Sequence, residues 1–133
     1  MAKSSTIYNY QSITHLRAAA IGSGFTTYAT GAVDDSDVFT MIVTNISGTQ
    51  RTLTVTFNSN GANDDIILTF TVPGGAGTAG GTPPIDLIQD GDLKGVMLDG
   101  SGSKFFRLKA GTILKVKGSN AGDLSVYGTQ MNF

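Results

Sequence analysis

Apolar and polar side chains alternate along most of this chain with a period of two, the mark of a strand with one buried face. The clearest run is Arg51 to Asn58, with Leu53, Val55 and Phe57 on one face and Thr52, Thr54 and Thr56 on the other. Ile66 to Val72 repeats it, setting Leu68, Phe70 and Val72 against Thr69 and Thr71. The turn cluster Asn58-Ser59-Asn60-Gly61 joins the two, which predicts neighbours in an antiparallel sheet. Thr112 to Lys117 sets Leu114 and Val116 against Ile113, Lys115 and Lys117. The final run, Asp123 to about Phe133, sets Leu124 and Val126 against Ser125, Tyr127 and Thr129. Val38 to Ile46 is apolar on both faces at its centre, as in a strand covered on both sides.

Phe25 to Thr30, Ile85 to Gln89, Leu93 to Leu98 and Lys104 to Lys109 are shorter candidates, and Gly, Asp and Asn turns separate nearly all of them. About eight strands at this spacing predict an all-β fold, an antiparallel β-sandwich or jelly roll, as one domain over residues 23–133. Residues 1–22 stand apart as an N-terminal arm or short helix. Ser12 could cap a helix, Ala18 to Ala20 favour one and Gly22 could end it; the other reading is an extended arm lying on a neighbour. Pro73 to Pro84 is a Gly-rich loop without the Lys-Ser/Thr ending of a phosphate cradle.

Composition narrows the chemistry. The 133 residues contain no Cys, which removes thiolate nucleophiles, zinc-thiolate sites and disulfides together. His15 is the single histidine, too few for a His-rich metal site, and no Gly-x-Ser-x-Gly motif stands ready to partner it. All ten acids are Asp and seventeen residues are Thr, a turn and strand vocabulary. The Asp and Asn groups at 34–37, 58–65 and 90–92 could offer oxygens to calcium. They lack the bidentate Glu of an EF-hand and read as ordinary turns. All ten Asp lie beside Gly, Asn, Ser or other Asp, or near loop ends, and read as solvated, not paired across an apolar cleft as a glycosidase requires. No cofactor and no enzymatic activity are expected. A net charge of −1 argues against a nucleic-acid partner, and no apolar run is long enough for a membrane-spanning helix. A basic, apolar signal peptide is missing from the first residues, so synthesis in the cytoplasm is expected and the sequon Asn45-Ile46-Ser47 is set aside.

The charge layout along the chain is uneven. Residues 34–92 hold eight Asp and one Arg, while residues 94–117 hold six Lys or Arg and one Asp. One reading mixes the signs in space. The other gives the molecule an acidic face and a basic face, the latter made of Lys104, Arg107, Lys109, Lys115 and Lys117, suited to association of copies or docking on a charged assembly. The terminal aromatic Phe133 is expected to be docked against something.

The segment from Phe106 through Lys109-Ala110-Gly111-Thr112 and Lys117-Gly118-Ser119-Asn120-Ala121-Gly122 to Tyr127-Gly128 resembles the last strands of small structural proteins of tailed bacteriophages. Within that class the chain resembles a capsid decoration (cement) protein. The resemblance covers roughly the last fifth of the chain and carries over no position-specific residue. It implies a virion protein without small-molecule substrate. Such proteins sit on the shell as trimers and clamp neighbouring subunits, so the implied partners are the major capsid protein and sister copies. Acidic and basic faces of successive copies could then meet around a three-fold axis. An arm carrying Tyr8, Tyr10 and Leu16 would bury apolar area on the shell or on a sister subunit. The alternatives are a tail-tip or fibre module binding carbohydrate or a receptor, with Tyr127, Phe105 and Phe106 as candidate aromatics, and another tail or head-completion protein.

Overall fold

A computed structural model describes residues 10–58, 64–78, 82–91 and 93–133. Among these residues there are eleven strands and no helix: β1 (Ser12–Ile21), β2 (Thr26–Thr30), β3 (Ser36–Val38), β4 (Ile42–Asn45), β5 (Arg51–Asn58), β6 (Asp65–Val72), β7 (Ile85–Asp86), β8 (Met97–Leu98), β9 (Lys104–Leu108), β10 (Ile113–Gly118) and β11 (Leu124–Asn132). They form two antiparallel sheets, a β-sandwich. One sheet runs β7-β4-β11-β3-β9-β8 with β1 added along β11; the other runs β2-β10-β5-β6. The core between them is aliphatic. Leu16, Ala18, Val38, Val43, Leu108, Leu124 and Val126 come from the first sheet, and Leu53, Val55, Val72, Leu114 and Val116 from the second.

Ser12–Ile21 is a strand, and the helix expected there does not form. Its alanines favour a helix by only a few tenths of a kcal/mol each over strand-forming residues. As a strand the same segment pairs with β11 from Ser12↔Asn132 to Ile21↔Leu124 and buries Leu16, Ala18 and Ile21 in the core. A bulge at Ala19 and Ala20, with Ala20 at φ 48°, restores the inward side chain at Ile21. The extended reading of these residues describes their conformation, but they lie on their own chain.

The long apolar run at 38–46 is also divided. β3 and β4 lie end to end along one side of β11, opposite β1, with a break at Phe39 to Met41. The backbone stays anchored across the break. The Phe39 N–H donates to the Thr129 carbonyl at 3.1 Å, and the Thr129 N–H donates to Thr40 Oγ1 at 2.9 Å. These divisions, together with β1, account for most of the excess over eight strands.

Tyr28 crosses the core and donates its hydroxyl to the Thr40 carbonyl at 2.7 Å. Burial first, and the Asp86 carboxylate second, push its pKa far above the ordinary value of 10.0. The unfolded chain releases this proton near its ordinary value while the folded protein keeps it. The stabilising difference is intact below about pH 10 and is lost as pH rises above it. Thermal melts between pH 8 and 11 are therefore expected to fall steeply above pH 10 for the wild type. The Tyr28→Phe variant is expected to show a flatter decline.

Candidate interaction surface

Asp37 sits in β3 between Met131 of β11 and Arg107 of β9. Its neighbours Ser36 and Val38 point into the core, so the pleat aims Asp37 at the outer face of the sheet. The carboxylate is nonetheless fully buried, because the two ends of the described chain close over it. Arg107 clasps it through both oxygens, Nε to Oδ1 at 2.6 Å and Nη2 to Oδ2 at 2.9 Å, and the Tyr10 hydroxyl donates to Oδ2 at 2.8 Å. The guanidinium lies 5.3 Å from the Phe105 ring centre and 4.9 Å from that of Phe133. Tyr10 stacks at 5.1 Å on Phe133 and meets Phe39 edge-on at 6.2 Å. Phe133 is thus docked on its own chain. Two forked hydrogen bonds and flanking rings hold this pair more firmly than a lone surface contact.

This geometry corrects the basic face. Arg107 belongs to the outer face of the seven-stranded sheet. Lys115 and Lys117 alternate with the buried Leu114 and Val116 on the outer face of the other sheet, so the sandwich itself separates them. Most of the five residues also have partners. Lys115 bridges Asp64 at 3.1 Å, Lys104 Nζ donates to the Gln89 carbonyl at 3.2 Å, and the Lys117 ammonium lies 4.9 Å from the Phe25 ring centre. Lys109 is exposed. Hydrogen bonds from Asn58 first and Lys115 second hold the Asp64 carboxyl below its usual range. Among the described residues, the acidic and basic segments therefore meet at Asp37–Arg107 and Asp64–Lys115, and the five basic residues are divided between the two sheets.

Two of the three arm residues are held by their own chain. Leu16 is a core residue, and the half-buried Tyr10 hydrogen-bonds Asp37. Tyr8 lies outside the described residues. The reading of the Asp residues as solvated turn residues fails at Asp37, a fully buried strand residue paired with Arg107. Asp35 accepts the Ala110 N–H, and Asp86 Oδ1 accepts the N–H groups of Met41, Ile88 and Gln89. Asn60, Asn63 and Asp92 of the possible calcium groups lie outside the described residues. Asn45 is buried and donates to the carbonyls of Thr49, Val72 and Pro73, which makes the sequon asparagine a structural pin.

Two features remain that alternation did not single out. The first is a shallow depression of about 520 Å³ on the outer face of the seven-stranded sheet, lined in part by His15, Arg17, Thr44, Ser125 and Tyr127. Arg17 and Tyr127 are direct cross-strand partners there, as are Thr44 and Ser125. Tyr127 is 42% exposed, whereas Phe105 and Phe106 are buried, so of the three candidate aromatics Tyr127 alone presents a surface. The second feature is apolar exposure along sheet margins: Ile13 on β1, Ile66 on β6, and Met97 and Leu98 on β8 are all at least half exposed. The sequence marks Ile66–Val72 of β6 as an uncharged run, but edge position is a property of strand order and leaves no trace in alternation. No protein-family model, curated protein or solved structure matches this chain.

Proposed function

We propose that the chain is a non-enzymatic virion structural protein, a capsid decoration protein that binds between shell subunits and stabilises them. The observation that carries this reading is the placement of exposed apolar side chains on edge strands. Open strand edges with apolar side chains are surfaces that association covers. The charged groups give secondary support, since Asp37–Arg107, Asp64–Lys115 and Arg51–Asp123 are joined in pairs that tie distant strands together. A three-fold arrangement of copies belongs to the resemblance, and the interleaved charges lend it no added support. Purified protein added to isolated shells of its virus is expected to sediment with them and to raise their calorimetric melting temperature. Failure to sediment with shells overturns the proposal. The informative truncation removes residues 1–9 only, because removing 1–22 would strip β1 from the sheet. Lost shell binding after that truncation would assign the contact to the segment containing Tyr8.

The depression at Tyr127 favours a second reading, a carbohydrate-binding module of a tail tip or fibre. An exposed ring can stack on the apolar face of a sugar, and Arg17, Thr44 and Ser125 could meet its polar groups. This reading expects the isolated protein to bind a glycan, and Tyr127→Ala to weaken that binding at least about tenfold with little change in stability, as the loss of one exposed stacking ring implies.

A further inference from the structure

Of the three arginines in the chain, two are clasped: Arg51 Nε lies 2.6 Å from Asp123 Oδ2, and Arg107 forks onto Asp37. Arg17 differs. It is exposed on the outer face of β1, and among the described residues no carboxylate or carbonyl accepts a hydrogen bond from it. The ladder fixes its surroundings. Tyr127 of β11 stands directly across from Arg17, and Ile42 of β4 stands across from Tyr127. On the same face Ser125 and Thr44 make the neighbouring row to one side, and His15 with Thr129 makes the row to the other. The Ser125 hydroxyl accepts the Ala20 N–H at 3.0 Å, which leaves its own proton to donate. Among the described residues no carboxylate lines the depression, and Asp86, in register with Ile42, is held by the N–H groups of Met41, Ile88 and Gln89.

We propose that this depression binds an acidic glycan, with a uronic or sialic acid unit lying on the Tyr127 ring and its carboxylate forked by Arg17. The inference rests on the carbohydrate reading of the same depression and narrows it to a class of sugar. A guanidinium offers two parallel N–H groups that match a planar carboxylate, and the chain already makes this fork at Arg107. The exposed ring beside Arg17 supplies a flat apolar platform, which a sugar ring uses and a lone carboxylate side chain does not. The hydroxyls of Thr44 and Ser125 and the imidazole of His15 line the same depression, where they can meet the hydroxyls of that ring. A single arginine also decides against denser anions. Sulfated glycans and nucleic acids are held by clusters of Lys and Arg, and no lysine lines this depression. The site uses none of the exposed apolar residues at the sheet margins, so it stands or falls apart from shell binding.

The test titrates the full-length protein calorimetrically with short oligomers of galacturonic acid and of sialic acid. Each is set beside its methyl ester, which keeps the ring and removes the charge. At least one free acid is expected to bind about tenfold or more tighter than its ester. Arg17→Gln is expected to abolish that preference, and Arg17→Lys to keep only part of it, since lysine cannot fork a carboxylate. Arg17 is exposed and has no described partner, so both variants are expected to melt within about 2 °C of the wild type. Lys109→Gln, an equal change of charge between β9 and β10, is expected to leave the preference intact. Acid and ester bound alike overturn the proposal and leave the carbohydrate reading standing. No binding of any of the four overturns the proposal, and the carbohydrate reading is then decided by neutral glycans alone. A preference that survives Arg17→Gln, or that Lys109→Gln removes equally, overturns the proposal. A short oligo-aspartate peptide bound as tightly as the sugar acid overturns it as well.

Discussion

Replacing Arg107 by alanine is expected to cost the fold about 3 kcal/mol and to lower the melting temperature by roughly 10 °C. The reason lies in what would be left behind. Asp37 has no exposed side-chain surface, and its two oxygens take three hydrogen bonds, two from Arg107 and one from Tyr10. Removing the arginine leaves a buried carboxylate with one neutral donor, and breaking a buried pair from one side is far more damaging than removing both partners. The guanidinium is itself 35% exposed, so water can enter where it stood, which sets the figure at the low end of the range for such losses. The same substitution also strips the cation from between Phe105 and Phe133. Arg107→Lys separates the contributions, since lysine keeps the charge but cannot reach both oxygens in a fork. About half of the loss is expected to return with lysine. The double variant Asp37→Asn with Arg107→Met is expected to melt above Arg107→Ala, because no unpaired charge remains. A melting temperature unchanged in Arg107→Ala would show that the pair contributes nothing to the fold.

That pair also shows what the sequence made legible. Alternation located β5, β6, β10 and β11 nearly to the residue, because the period of two is written directly in the side chains, although Thr56, assigned by alternation to the open face of β5, is fully buried. It placed Leu114 and Val116 inside and Lys115 and Lys117 outside correctly. Ser12–Ile21 was open to misreading because three alanines carry a helical preference that says nothing of the strand waiting to pair with them. The run at 38–46 concealed a break, since an apolar residue is as fit for a bulge packed on a core as for a regular ladder position. The basic residues divide between the two sheets for a different reason. Arg107 and Lys115 are close in sequence, but one turn carries the chain from the first sheet to the second, and nearness along the chain became separation across the sandwich. Asp37 and Arg107 are adjacent only through the β3–β9 register, which no local pattern encodes.

Gly128→Ala is expected to be as damaging as the loss of Arg107, about 3 kcal/mol, and to resist rescue. Gly128 lies in β11 opposite Leu16 of β1, beside the break between β3 and β4. A Cβ there would fall far inside van der Waals contact of the Thr40 carbonyl oxygen, and 2.5 Å from both Thr40 Oγ1 and the Tyr28 hydroxyl. Those atoms are already engaged with one another, the Tyr28 hydroxyl donating to the Thr40 carbonyl and Thr40 Oγ1 accepting from the Thr129 N–H. Relief would require moving backbone at the point where the two sheets are tied together. Thr40→Ala or Tyr28→Phe can clear the side-chain contacts, but neither removes the carbonyl of residue 40. A Gly128→Ala protein carrying either second substitution is therefore expected to melt no higher than Gly128→Ala alone. Gly48→Ala is the control, for a Cβ at that position meets nothing within 4 Å and should leave the melting temperature within about 2 °C of wild type. Full rescue by Thr40→Ala would place the obstruction in the threonine side chain, and the break in the strand would then lose its role as the reason this position is glycine.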